Sequence, residues 1–175
     1  MIFEYSVQKT FNESIDVVDI GNTALRCHGA KLDFYYIILK TVMDRLCAKA
    51  GSKDCGAITA VLAYYGTTQK LFKVKAGCFM PAPKVDSTVI RTRLYKEKPY
   101  NPKDTTLLFR TIKAAFEQRR KTLPNALASG FGELDKQTLT DVIVSCGHSA
   151  DVRGERLSIE DFVALSDAIY DKIHE

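Results

Sequence analysis

The chain has 175 residues, 46% of them hydrophobic and 26% charged, with a net charge of +4 and a pI of about 8.7. That is ordinary for a globular protein of one domain or one and a half. No apolar run is long enough to span a bilayer, and the mild basicity tolerates a polyanionic partner without demanding one.

In chain order, residues 15–20 (Ile-Asp-Val-Val-Asp-Ile) predict a strand ended by Gly21-Asn22. Residues 34–39 form a continuous apolar and aromatic run, the pattern of a buried strand. A helix is expected over 42–50, a loop at 51–54, and a buried helix over 57–65 that Gly66 ends. Residues 69–74 predict a strand. At 79–87 stands Phe-Met-Pro-Ala-Pro-Lys-Val-Asp-Ser, where Pro81 and Pro83 fix φ and push their predecessors toward extended geometry. This stiff arm leads into a strand over 88–95 with Val89 and Ile90 inside, and 97–102 predicts a linker. The remainder predicts helices. One is capped by Asp104 or Thr105 with a stripe of Leu108, Ile112, Ala115 and Phe116, and one is capped by Thr122 with Pro124 in its first turn. A third spans 135–144, and a fourth opens at Ser158 with capping-box chemistry.

The five cysteines (Cys27, Cys47, Cys55, Cys78 and Cys146) are odd in number and none pairs as Cys-x-x-Cys, which predicts reduced thiols rather than a disulfide framework or a zinc site. His28, His148 and His174 are scattered, so no metal is expected. The first ten residues have no signal-peptide pattern, and a cytoplasmic protein is expected. Lysines and arginines crowd residues 84–121 while 151–175 is acidic overall, which predicts one cationic face. Within it, Arg119-Arg120-Lys121 fits phosphate recognition by arginine forks, although a charge run taken alone more often marks a solvated helix end. Arg153 to Ser158 fits a turn with an internal ion pair and a helix cap. Phe79 is either core or a platform for a stacked base. Asp19-Ile20-Gly21 is a weak candidate for a nucleotide loop, because the residues after it supply no further glycine.

Three strings in order give the chain a resemblance. They are Phe-Met-Pro-Ala-Pro-Lys-Val-Asp-Ser from 79, Ala-Phe-Glu-Gln-Arg-Arg-Lys-Thr-Leu-Pro-Asn from 115, and Arg-Gly-Glu-Arg-Leu-Ser-Ile-Glu-Asp-Phe from 153. Over residues 37–172 the chain resembles the C-terminal part of the small-subunit ribosomal RNA adenine dimethyltransferases of the KsgA/RsmA type. The resemblance implies an α/β fold: the remnant of a Rossmann-like methyltransferase sheet followed by a small all-helical domain. It implies residues 37–98 in the methyltransferase domain and 99–175 in a helical rRNA-binding domain, with 1–36 unassigned. It implies S-adenosylmethionine as methyl donor, small-subunit rRNA or the 30S precursor as partner, and transfer to N6 of adjacent adenines. Phe79 is then the wall beside the target adenine, and Lys84, Arg119, Arg120 and Lys121 are the RNA-binding cations.

The chain also departs from that pattern. Its own residues show neither a glycine-rich cofactor loop nor the Asn-Leu-Pro-Tyr motif. This predicts a truncated or rearranged, inactive member. The alternative reading is a non-catalytic rRNA- or ribosomal-subunit-binding module. An incomplete sheet also predicts self-association through an exposed edge.

Overall fold

The computed structural model describes residues 33–78, 80, 82 and 84–175. The strand expected at 15–20 and the Asp19-Ile20-Gly21 candidate lie outside the described residues, as do Phe79, Pro81 and Pro83 of the arm. In chain order the elements are β1 (Asp33–Leu39), α1 (Lys40–Leu46), α2 (Ala57–Tyr65), β2 (Gly66–Val74), a 3-10 turn (Ala76–Cys78), β3 (Ser87–Leu94), α3 (Thr105–Glu117), α4 (Leu123–Gly130), α5 (Lys136–Ser145), a second 3-10 turn (Gly154–Arg156) and α6 (Ile159–His174). They fall into two compact units, the first holding residues through Met43 and Thr68–Lys96, the second Asp44–Thr67 and Glu97–Glu175.

The first unit is built on a three-stranded sheet of order β1-β3-β2. β1 runs antiparallel to β3, with Asp33 opposite Arg93 and Leu39 opposite Ser87. The central place of β3 explains why Ser87, Thr88, Val89 and Ile90 are all buried, Ile90 completely, so its two faces are covered rather than one. Its buried hydroxyls need partners, and Thr92 finds one in the Thr68 hydroxyl at 3.1 Å. Next to it, Arg91 Nη2 donates to Gln69 Oε1 at 2.8 Å. β2 is longer than residues 69–74 because Gly66 does not act as a left-handed helix stop. Its φ of 178° is extended backbone, its N–H still donates to Leu62 of α2, and the strand starts there with no loop between. Leu71 and Phe72 on β2 are 41% and 60% exposed, an apolar stretch on the strand that ends the sheet among the described residues.

The second unit is helical. α3 begins where the Asp104 carboxylate accepts from the Thr106 N–H at 2.7 Å. Its stripe of Leu108, Ile112 and Ala115 is buried. α5 is capped the same way by Asp135, whose carboxylate accepts from Thr138 N–H at 2.6 Å. α6 has the full reciprocal box: Ser158 Oγ accepts from Asp161 N–H and Asp161 Oδ2 accepts from Ser158 N–H. Thr122 precedes α4 in the N-cap position, but its hydroxyl accepts from the Asn125 side-chain amide at 2.7 Å, not from the backbone. Pro124 at the helix start suits that place, since the missing N–H would have no partner there. The apolar faces meet in one core in which Leu108, Leu123, Leu127, Phe131, Phe162 and Leu165 are sealed from solvent.

Two parts of the chain differ from the sequence expectation. The helix expected over 42–50 is α1, which stops at Leu46. The segment 97–102 has no regular structure, yet it is tied down rather than loose. Tyr100 stacks on Tyr64 at 6.1 Å and donates its hydroxyl to Glu160 of α6 at 2.7 Å. Lys103 then donates its backbone N–H to Asp167 and its ammonium to Asp171. The acidic C-terminal helix is thus partly neutralised by the segment that leads into α3.

Candidate nucleic-acid interface

Three stretches far apart in sequence converge in the helical unit: the turn at 51–56, the C-terminal end of α3 with the basic run after it, and the 3-10 turn Gly154–Arg156. Two glycines make the approach feasible. Gly51 has φ of +83°, a left-handed conformation that glycine adopts without steric cost, and its N–H donates to the Glu155 carbonyl at 2.6 Å. Gly154 lies on the backbone of Ala115, where a Cβ would come within 2.9 Å of the Ala115 carbonyl oxygen. A third tie, from Leu123 N–H to the Val152 carbonyl at 2.7 Å, fixes the start of α4 beside the loop before Arg153.

α3 ends at Glu117, so the basic run stands on a turn beyond the helix. Its three cations do not share one role. The Arg119 guanidinium points inward: Nη2 donates to the carbonyls of Lys53 at 3.0 Å and Cys55 at 2.8 Å, and lies 3.7 Å from Glu155 Oε2. Arg120 and Lys121 are exposed and have no side-chain hydrogen bond or ion pair among the described residues. Hence the run is neither purely a phosphate fork nor purely a solvated helix end. The Arg153 to Ser158 string also departs from the ion pair expected inside it. Glu155 faces Arg119, and Arg153 and Arg156 are exposed. Lys53, exposed on the turn whose carbonyl Arg119 holds, is a cation that sequence reasoning passed over.

The wider basic middle is trimmed in the same way. Arg110 forks onto Glu133 at 2.6 and 3.0 Å, reaches the Gly130 carbonyl, and covers the Phe131 ring at 4.4 Å. That fork holds the Glu133 carboxyl below its ordinary range. Lys103 is occupied by Asp171. Arg110 and Lys103 are thus committed to acidic partners within the helical unit. Arg120 and Lys121 on the run, and Lys53, Arg153 and Arg156 on or beside the two turns tied to it, are exposed.

The other candidate residues place as follows. Lys84 is exposed in the sheet unit, just ahead of β3. Asp86, two residues on, accepts from Ala76 N–H at 3.1 Å and closes the loop that carries the arm. Phe79 lies outside the described residues. Cys55 is buried, and burial pushes its thiol up despite the Thr59 hydrogen bond and the nearby Arg119, so it is a protonated packing residue rather than a nucleophile. Among the described residues no group of three His, Cys, Asp or Glu side chains is placed to hold a metal ion. No described helix is long and apolar enough to cross a membrane. The described residues do not fit an S-adenosylmethionine site either: β1 is followed directly by α1 with no glycine-rich turn between them, and its described neighbour β3 is antiparallel.

Comparison with known proteins meets this geometry from the other side. A family model described as ribosomal RNA adenine dimethylase matches residues 17–169, beginning upstream of the strings that carry the resemblance. A protein named ribosomal RNA small subunit methyltransferase A from Lachnoclostridium phytofermentans is 40% identical over 138 residues, which is 78% of this chain and 48% of that protein. One of the same name from Clostridium acetobutylicum is 43% identical over 134 residues, 77% of this chain and 48% of that protein. Among solved structures, a dimethyladenosine transferase from Plasmodium falciparum superposes with a TM-score of 0.62 at 18% identity, covering 76% of this chain and 55% of that one. The 23S rRNA methyltransferase ErmE gives 0.57 at 14% identity, covering 79% and 55%. These likenesses bear out an α/β fold of the Rossmann-like methyltransferase kind with a small sheet and a helical part. The chain spans about half the length of the curated relatives it matches. With a family model over most of its length and relatives this similar, the chain belongs to the ribosomal RNA adenine dimethylase family.

Proposed function

We propose that this chain is the rRNA-holding part of a 16S rRNA adenine N6,N6-dimethyltransferase, active in small-subunit biogenesis in the cytoplasm. The helical unit grips the phosphate backbone through Arg120 and Lys121. The observation that carries this is the split within the basic run. Two adjacent cations stand exposed and unpaired next to a third that is consumed internally. Like charges held side by side repel each other, and a phosphate between them relieves the repulsion. Lys84 and Phe79 belong to the same reading through the family: Lys84 as a further backbone contact, Phe79 as the wall for an adenine taken out of its stack.

The family also implies S-adenosylmethionine, and the described residues supply no cradle for it. That favours a second reading, a module that binds rRNA without catalysing. Isothermal titration of the full chain with S-adenosylmethionine separates the two, run alongside binding of a hairpin RNA with two adjacent adenines in its loop. Heat of binding for both ligands supports the enzyme. RNA binding with no donor heat supports the module, and no RNA binding contradicts both.

The edge strand β2, with Leu71 and Phe72 exposed, is where a second copy of the chain pairs in this reading. Sedimentation velocity should then show association that grows with concentration and weakens in Phe72→Lys. A concentration-independent monomer would contradict the pairing.

A further inference from the structure

Arg119 sits inside a run of cations, and its two neighbours are exposed, so simple charge counting would give all three the same partner. The hydrogen bonds say otherwise. One guanidinium nitrogen of Arg119 reaches two carbonyls, Lys53 at 3.0 Å and Cys55 at 2.8 Å, more than sixty residues back in the chain. The same side chain lies 3.7 Å from Glu155, whose own carbonyl accepts from Gly51 at 2.6 Å. The turn 51–56 is therefore held at both ends. Gly51 hangs from the backbone of Glu155, and the carbonyls of Lys53 and Cys55 hang from Arg119. Thr59 closes the far side, its hydroxyl donating to the Arg45 carbonyl at 2.7 Å while it accepts from Gly56 N–H at 3.1 Å. The two N–H groups of Nη2 serve one carbonyl each in the guanidinium plane, and a lysine ammonium would end one bond short of that position with freely rotating donors.

Resting on the RNA-binding reading above, we propose that Arg119 is a positioning residue rather than a phosphate ligand, and that what it positions is Lys53, an additional contact to the RNA backbone. Lys53 is exposed, its ammonium has no partner among the described residues, and its carbonyl is fixed one residue away from Arg120 in the chain. The RNA-binding cations are then Arg120, Lys121 and Lys53, drawn from two segments, with Arg119 joining the segments.

The test is a double-mutant cycle on the full chain, using the hairpin RNA with two adjacent adenines and reading the slope of log affinity against log salt. Each phosphate contact contributes about 0.7–0.9 to that slope. Lys53→Ala should reduce it by about one contact. Arg119→Gln should reduce it by about the same amount, and the double variant by no more than either alone. Arg119→Lys keeps the charge but ends one bond short of Nη2, and should behave like Arg119→Gln. Hydrogen exchange of the Gly51 amide should quicken in both Arg119 variants, while circular dichroism shows each still folded. Several results would overturn the proposal with RNA binding intact: slope losses that add in the double variant, full rescue by Arg119→Lys, or no effect of Lys53→Ala. Failure of the unmodified chain to bind RNA would overturn it together with the reading it rests on. An unchanged Gly51 exchange rate in Arg119→Gln would remove the positioning role by itself.

Discussion

Phe162→Ala is expected to destabilise the helical unit by about 3–5 kcal/mol, the range for emptying a sealed aromatic site in a core. Phe162 is fully buried on the first turn of α6, and its ring meets that of Phe116 on the last turn of α3 at 6.0 Å. The surroundings cannot collapse into the space easily. The two helix ends are fixed by the Ser158–Asp161 capping box on one side and by Gly154 seated on Ala115 on the other. A loss of that size lowers the thermal midpoint by about 6–20 °C for a chain of this length. Val144→Ala is the control: Val144 is 52% exposed on α5, and its truncation should change stability by less than about 0.5 kcal/mol. Thermal melts followed by circular dichroism decide it. Equal effects of the two substitutions would mean that α3 and α6 do not pack as described.

The second large effect concerns binding. Arg120→Ala combined with Lys121→Ala should weaken affinity for the adenine-loop hairpin by roughly 10- to 100-fold at about 0.1 M salt, equivalent to about 1.4–2.8 kcal/mol. Stability should barely move, because neither side chain bonds to anything else among the described residues. This separates the pair from Arg119, whose loss frees two carbonyls and leaves Glu155 without its partner. Fluorescence anisotropy with labelled RNA measures the first part and thermal melting the second. A double variant that binds RNA as tightly as the parent would reduce the run to a solvated helix end.

The parts of this fold that were legible in the sequence are those governed by local chemistry. Asp104 and Ser158 cap helices because their short side chains reach a backbone N–H two or three residues on, and nothing distant is needed. The stripe of Leu108, Ile112 and Ala115 and the buried pair Val89 and Ile90 follow from the helix and strand periods. Gly66 was half legible. A glycine after an apolar helix marks its end, but whether it turns left-handed or passes straight into a strand depends on β3 being there to pair with. Residues 44–67 were less so. Their place with the helices of 97–175 comes from contacts such as Tyr64 with Phe109 at 5.5 Å, which no local pattern announces.

The site shows the same division. That Arg119, Arg120 and Lys121 form a basic cluster is plain from the sequence. That one of them turns inward is not, because its acceptors are backbone carbonyls, and a carbonyl has no letter in the sequence. The only available hint was that the string at 51–56 and the string at 153–158 both carry a glycine beside charged residues. The structure explains the glycines by close approach, Gly51 through its backbone angle and Gly154 through its contact with Ala115.

The central claim, that exposed cations of the helical unit hold an RNA backbone, is tested most directly by titrating the unmodified chain with the hairpin RNA across a salt series. Three phosphate contacts, from Arg120, Lys121 and Lys53, predict a slope of log affinity against log salt of about −2 to −3. A slope near zero, or no binding at low salt, would contradict the account.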